Sequence, residues 1–107
     1  MPKSEFCVVD DKGKKFRVII SEKPTIPALL GGARKLKGFY YGYTAKIWIR
    51  DRLPEDLTDR ILRHEIAHSR QSIAHKFVVE SFHGGERAIE REVEQLAASV
   101  SYSVVPC

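Results

Sequence analysis

The sequence predicts a small α+β domain: an N-terminal β-hairpin and a mixed sheet packed on one long helix, followed by a second helix near the C-terminus. Three observations predict it. Short runs rich in β-branched and aromatic residues fill much of the first fifty positions. Helical patterning takes over after Pro54. A chain of 107 residues suffices for one hydrophobic core and one cleft but not for two. With no internal repeat and no low-complexity segment, residues 1–107 are expected to form one domain.

Taken in order, Phe6 to Val9 and Phe16 to Ile20 are strand-like, and Asp10-Asp11-Lys12-Gly13 between them is turn chemistry, so they predict a hairpin. Pro24 and Pro27 punctuate the next stretch, after which Ala28-Leu29-Leu30 starts a short helix that Gly31-Gly32 ends. From Gly38 to Arg50 the chain reads as a half-buried strand, in which Tyr43, Ala45, Ile47 and Ile49 alternate with Thr44, Lys46, Trp48 and Arg50. Pro54 followed by Glu55 and Asp56 is a good first helical turn, since proline loses nothing at the first helical position and acids favour the positive end of the helix dipole. A helix is expected from about Pro54 past His68. Gly84-Gly85 breaks what precedes it. Glu86 to about Val100 forms the second helix, with Ile89, Val93, Leu96 and Val100 at helical spacing. The tail from Ser101 to Cys107 lies outside that pattern.

Composition narrows the function classes. The hydrophobic share of 43% and charged share of 30% are those of an ordinary globular protein, and no apolar run approaches the roughly 18 residues that a membrane span needs. No membrane partner is expected, and the start of the sequence shows no secretory signal, so the cytoplasm is the expected compartment. The net charge of +4 comes from basic residues scattered through every segment without an aromatic-basic pattern, so a solvated surface is expected rather than a nucleic-acid interface. Cys7 and Cys107 are too few for a disulfide framework or a cysteine-based zinc knuckle, and whether they meet is open at this level. Asparagine is absent, and the chain holds a single methionine beside abundant Arg, Lys and Glu, the depletion expected of a heat-adapted protein.

The chemistry concentrates at His64-Glu65-Ile66-Ala67-His68. At about 100° per residue, His64 and His68 share one sector of a helix, one turn apart, so both imidazoles reach one ion. Glu65 lies to the side, unable to ligate the same ion easily but able to take a proton from a metal-bound water. Leu62, Ile66 and Ile73 occupy roughly the opposite face and can enter the core. A chance match of five residues is the competing reading, and a third ligand decides between them. His75 is disfavoured: the metzincin pattern puts its third histidine ten residues after the first, with a glycine between, and here those places hold Ala74 and Gln71. His83, beside Gly84-Gly85, is either a surface residue or one that polarises the substrate. The remaining candidate is a glutamate of the second helix, where Glu90 and Glu94 share one side while Glu92 points elsewhere. On this geometry Glu90 is the ligand, and Glu94 holds a ligand histidine from behind.

Gly38-Phe39-Tyr40, a strand ending Ile47-Trp48-Ile49, Leu53-Pro54, the His64 to His68 motif and Glu90 to Ala98 together resemble the ImmA/IrrE-type metallopeptidases over about residues 38–100. Carried over residue by residue, that family's zinc ligands fall on His64, His68 and Glu90, and its general base on Glu65. The chain departs from the family at Val93, Glu94 and Leu96, where Ala, Asn and Phe are usual, and the Leu-Leu-Met-Pro continuation is missing after Ala98. In its size and its glutamate third ligand it is also similar to the minigluzincins, minimal peptidases of heat-loving sources. These resemblances imply a zincin-like fold, one Zn2+ ion and hydrolysis of peptide or protein substrates.

The expected mechanism gives Glu65 two roles: it takes the water's proton and later passes it to the leaving amine, while zinc polarises the water and the scissile carbonyl. The strand before the metal helix, at Thr44, Ala45, Lys46, Ile47 and Trp48, is the expected rim on which an extended peptide adds by main-chain hydrogen bonds. Tyr40, Tyr41, Tyr43 and His83 are the candidates to donate to the oxyanion, with simple packing as the alternative for each tyrosine. The apolar tail ending in the soft Cys107 thiol is read either as a frayed terminus or as a latency plug in the cleft, and it is also the candidate contact for a homodimer. Zymogen-like forms are what the minigluzincin resemblance adds. The rival from another class is a non-catalytic interaction or regulatory module that keeps the zincin fold.

Overall fold

The computed structural model describes residues 4–22, 37–41, 44–71 and 85–107, with side chains in the last stretch described from Ala88 onward except that of Ile89. The expected short helix at Ala28 to Leu30, together with Tyr43, Ile73, His75 and His83, lies outside the described residues.

The hairpin forms as expected: β1 (Ser4–Asp10) pairs antiparallel with β2 (Lys15–Ser21), Cys7 opposite Arg17 and Val8 opposite Phe16. Its turn is organised by Asp10, whose Oδ1 accepts hydrogen bonds from the Lys12 and Lys14 amides at 3.0 and 2.8 Å, while Gly13 takes the left-handed conformation (φ 82°) that a side chain would disfavour. The stretch from Gly38 to Arg50 is not one strand. It splits into β3 (Gly38–Tyr41) and β4 (Lys46–Arg50), which pair antiparallel with Phe39 opposite Trp48. Ala45 stands just before β4 at a positive φ of 50°. Strand β4 also pairs parallel with β2, so the sheet order is β3-β4-β2-β1-β5.

Strand β5 (Tyr102–Val105) is the tail. It pairs antiparallel with β1, Val8 opposite Val104, and Cys107 is joined to Cys7 in a disulfide. This overturns both readings of the tail, as a frayed terminus and as a latency plug bearing a free Cys107 thiol. The strand lies at the edge of the sheet opposite β3, about 19 Å across four strand spacings, and its sulfur is already bonded. The Tyr102 hydroxyl donates to Asp59 on the first helix, and burial, first, with this bond to a carboxylate pushes the phenol up to about 12.

Helix α1 (Glu55–Ser69) carries the histidine motif, with Pro54 at the N-cap position instead of the first helical turn and Glu55 and Asp56 at the positive end. Helix α2 (Gly85–Ala97) packs against it and ends three residues earlier than the apolar spacing suggested. Val100 stays buried all the same, held where its carbonyl accepts from Arg63 at 2.7 Å. Both helices lie on one face of the sheet. There Val8, Phe16, Val18, Ile47 and Ile49 meet Leu62, Ile66, Ala67, Val93 and Val100 in one apolar cluster. The opposite face of the sheet is buried as well at Cys7, Ile19, Tyr41 and Trp48, and the Trp48 indole N–H donates to Ser21 at 3.1 Å. Strand β4 is thus covered on both faces, at Ile47 and Ile49 on one and Trp48 on the other, and lacks the half-exposed pattern expected of it.

The end of α1 is fixed by charge. Arg70, just past the helix, bonds Asp10 and Asp11 on the hairpin turn, and Asp11 also accepts from the Ser101 amide. The Arg70 bond, then that of Ser101, holds the Asp11 carboxyl down at about 2. No helix of the described residues is long and apolar enough to cross a membrane.

Candidate metal centre

Helix α1 places His64 and His68 one turn apart on the face away from buried Leu62 and Ile66, with ring centroids 4.8 Å apart. Helix α2 brings Glu90 opposite them. One ligand atom from each of His64, His68 and Glu90 lies within 4.8 Å of the others, so the three form a group that could hold a metal ion. The contacts are specific: His64 Nε2 to Glu90 Oε2 is 3.3 Å, and His68 Nε2 to Glu90 Oε1 is 3.6 Å. In a tetrahedral zinc site, bonds of about 2.0–2.1 Å leave neighbouring ligand atoms about 3.4 Å apart. The spacing fits.

The outer hydrogen bonds decide which nitrogen of each ring faces the ion. His64 Nδ1 lies 3.1 Å from Glu94 Oε1, and a carboxylate only accepts, so with a metal at Nε2 the ring proton would sit on Nδ1 and the Nε2 lone pair would face inward. For His68 the inference starts further out. Glu92 Oε1 accepts from Gln71 Nε2 at 3.1 Å, which turns the carbonyl of the Gln71 amide towards His68 Nδ1 at 3.0 Å. Nδ1 of His68 is therefore also the donor, and its Nε2 lone pair also faces Glu90. Two lone pairs and a carboxylate converging on one point repel one another unless a cation or a proton stands between them.

Glu65 is only 8% exposed and lines the same cleft as His64, His68, Glu90 and Glu94. Its side chain runs between α1 and β3: a Cβ built at Gly38 would come 3.6 Å from Glu65 Cγ and 2.5 Å from Ile61 Cγ2. The cleft, about 600 Å³, is walled on the sheet side by Lys37, Gly38, Phe39 and Tyr40 and on the helix side by Arg60 and Ile61.

The structure thus brings together His64, Glu65, His68, Glu90 and Glu94, all five read from the sequence. It does not bring the expected rim. Thr44, Ala45, Lys46, Ile47 and Trp48 do not line the cleft. Strand β4 already pairs with β2 on one edge and β3 on the other, with Ile47 and Trp48 buried, so no peptide can add there. The strand beside the site is β3, the edge of the described sheet. Tyr41 is buried, its ring tilted against that of Phe39 with centroids 5.1 Å apart, and is not a lining residue; of the tyrosines described, Tyr40 reaches the cleft. The residue missed is Gln71. Its spacing of three from His68 was the available signal, since such neighbours meet on a helix or in the turn that ends one.

Comparison with family models, with curated proteins and with solved structures returns no match for this chain.

Proposed function

We propose that this chain is a zinc-dependent endopeptidase of the minigluzincin kind, with His64, His68 and Glu90 as metal ligands and Glu65 as general base. The observation that carries the reading is the convergence of His64 Nε2, His68 Nε2 and the Glu90 carboxylate in a cleft that also holds the Glu65 carboxylate. Two imidazoles and one carboxylate are a ligand set found at catalytic zinc, which keeps a fourth position open to water. When bound, zinc supplies Lewis acidity, lowering the pKa of that water and drawing charge from a carbonyl.

The chain's own residues do the rest. Glu65 accepts the proton of the attacking water and returns it to the departing amine, one carboxylate acting twice. Burial between α1 and β3 restricts its rotamers and screens it from bulk water. Glu94 and Gln71 hold the two rings so that each Nε2 points inward. Among the described residues the outer edge of β3 has no paired strand, and it offers main-chain donors and acceptors to an extended peptide, a mode that tolerates many side chains. Tyr40, which lines the cleft and accepts from Lys14 Nζ at 3.2 Å, is our candidate to donate to a developing oxyanion.

The test pairs a metal assay with one substitution. The purified chain is expected to take up one zinc per molecule and to cleave casein. Glu65→Gln should keep the zinc and the fold while lowering kcat about 10²–10⁴-fold, the range for a lost general base. Cleavage by Glu65→Gln at the unaltered rate would remove Glu65 from the mechanism. Zinc uptake without any cleavage would favour a non-catalytic zincin-fold binding module.

A further inference from the structure

We infer that the cleft selects peptides bearing an acidic side chain within about two residues of the bond held at the metal centre, through the cations Arg60 and Lys37. The inference rests on the peptidase reading of the site and adds its substrate class.

Arg60 is exposed on α1 one turn before His64, and Lys37 is exposed immediately before β3; both line the cleft. Among the described residues their side chains have no ionic or hydrogen-bonded partner. Three other arginines are neutralised, Arg17 by Glu5, Arg63 by Asp59, and Arg70 by Asp10 and Asp11, while Arg52 and Arg91, which have no ion pair among the described residues, do not line the cleft. Arg60 faces the cleft with its charge uncompensated.

The acids of the cleft do not compensate it. Glu90 and Glu94 face the histidines, and Glu65 is buried. With a divalent ion bound, the described charges of the cleft total one positive, and the positive ones nearest a passing substrate are Arg60 and Lys37. Four residues of helix place Arg60 about 6 Å along the axis from His64. Residues of an extended bound peptide advance about 3.4 Å each, so the guanidinium falls beside a side chain one or two residues from the reacting carbonyl. The Lys37 backbone is fixed there, its carbonyl accepting from the Arg50 amide at 2.8 Å. An Asp or Glu carboxylate matches the guanidinium's planar fork, whereas a lysine or arginine side chain meets two like charges.

The test uses zinc-loaded Glu65→Gln, which binds without turning over, and fluorescent octapeptides that are acetylated and amidated so that the side chain is their sole carboxylate. Peptides with Glu at the varied position are expected to bind at least about tenfold tighter than the same peptides with Lys. Adding Arg60→Glu should invert the order, and 0.5 M NaCl should shrink the difference. The same preference is expected in kcat/KM for the chain with Glu65 intact, inverted again by Arg60→Glu. Equal binding of the Glu and Lys peptides within twofold, or no binding of either, overturns the proposal. So does preference only for a peptide whose carboxylate is a free C-terminus, which would mark an exopeptidase subsite instead. Casein cleavage by the chain with Glu65 intact is scored separately: loss of cleavage with the acidic preference retained counts against the peptidase reading alone.

Discussion

A metal-bound imidazole needs its outer nitrogen held, and His64 and His68 are held by different chemistry. Glu94, exposed on α2, accepts from His64 with a charged oxygen, whereas Gln71, buried beyond the end of α1, accepts from His68 with a neutral one. The Gln71 amide is in turn fixed by Glu92, so His68 depends on a relay reaching α2. Removing the relay leaves the ring free to rotate and to change tautomer. Gln71→Ala is expected to weaken zinc binding about 10–100-fold, read by competition with a chromogenic chelator. Gln71→Glu, which still accepts at the same place, should recover most of that affinity, although its second oxygen then faces Glu92. Equal zinc affinity in Gln71→Ala and the unaltered chain would mean that the amide plays no part in holding the ring. The histidines, Glu65 and Glu90 were legible because each follows from a helical period. Gln71 was not, because its role depends on a turn after the helix and on a partner twenty-one residues away.

Between α1 and β3 the cleft is set by how closely a helix and a strand approach. Gly38 permits the approach: an added Cβ would sit 2.5 Å from Ile61 Cγ2 and 3.3 Å from the Trp48 carbonyl. The Ile61 methyl branches at Cβ and cannot swing aside without changing χ1, and the Trp48 carbonyl is backbone in a paired strand. Gly38→Ala should therefore destabilise the fold by about 1–3 kcal/mol and move β3 outward, loosening the screen over Glu65. Urea unfolding measures the first effect. The second would appear as a lower kcat with zinc content unchanged, and unaltered values for both would show that the contact yields freely. The same elements explain what the sequence pattern could not provide. The alternation of Tyr43, Ala45, Ile47 and Ile49 is a local signal, and it reads one face of one strand. That β4 has a neighbour on each side follows from pairings with β2 and β3 that no local period encodes, and Trp48 on its other face is equally buried.

Across the whole molecule, the site is held at one end of the sheet and the tail closes the other. The hairpin and both helices were legible because each is a short-range pattern of period two or 3.6, while the pairing of β5 with β1 spans nearly the full chain and leaves no periodic trace. The tail's apolar, extended character was visible; its destination was not. Three bonds commit β5 to that destination: its ladder with β1, the Tyr102 hydroxyl on Asp59 of α1, and the Cys7–Cys107 disulfide, which closes a loop of sequence separation 100. In the chain-entropy account, a cross-link closing so long a loop contributes up to about 4.7 kcal/mol by restricting the unfolded chain, of which about 2–4 kcal/mol is typically realised. Replacing both cysteines with serine should therefore lower Tm by roughly 10–20 °C for a domain of this size. Truncation after Ser101 removes the ladder and the Tyr102 bond as well and should lower it further. Neither change touches a cleft residue, so zinc stoichiometry at a temperature where the fold survives should stay at one per chain. Peptidase activity per folded molecule should not rise. A rise on truncation, with the remaining fold intact, would place the tail in the cleft after all and contradict the sheet order in which β5 and β3 stand at opposite edges.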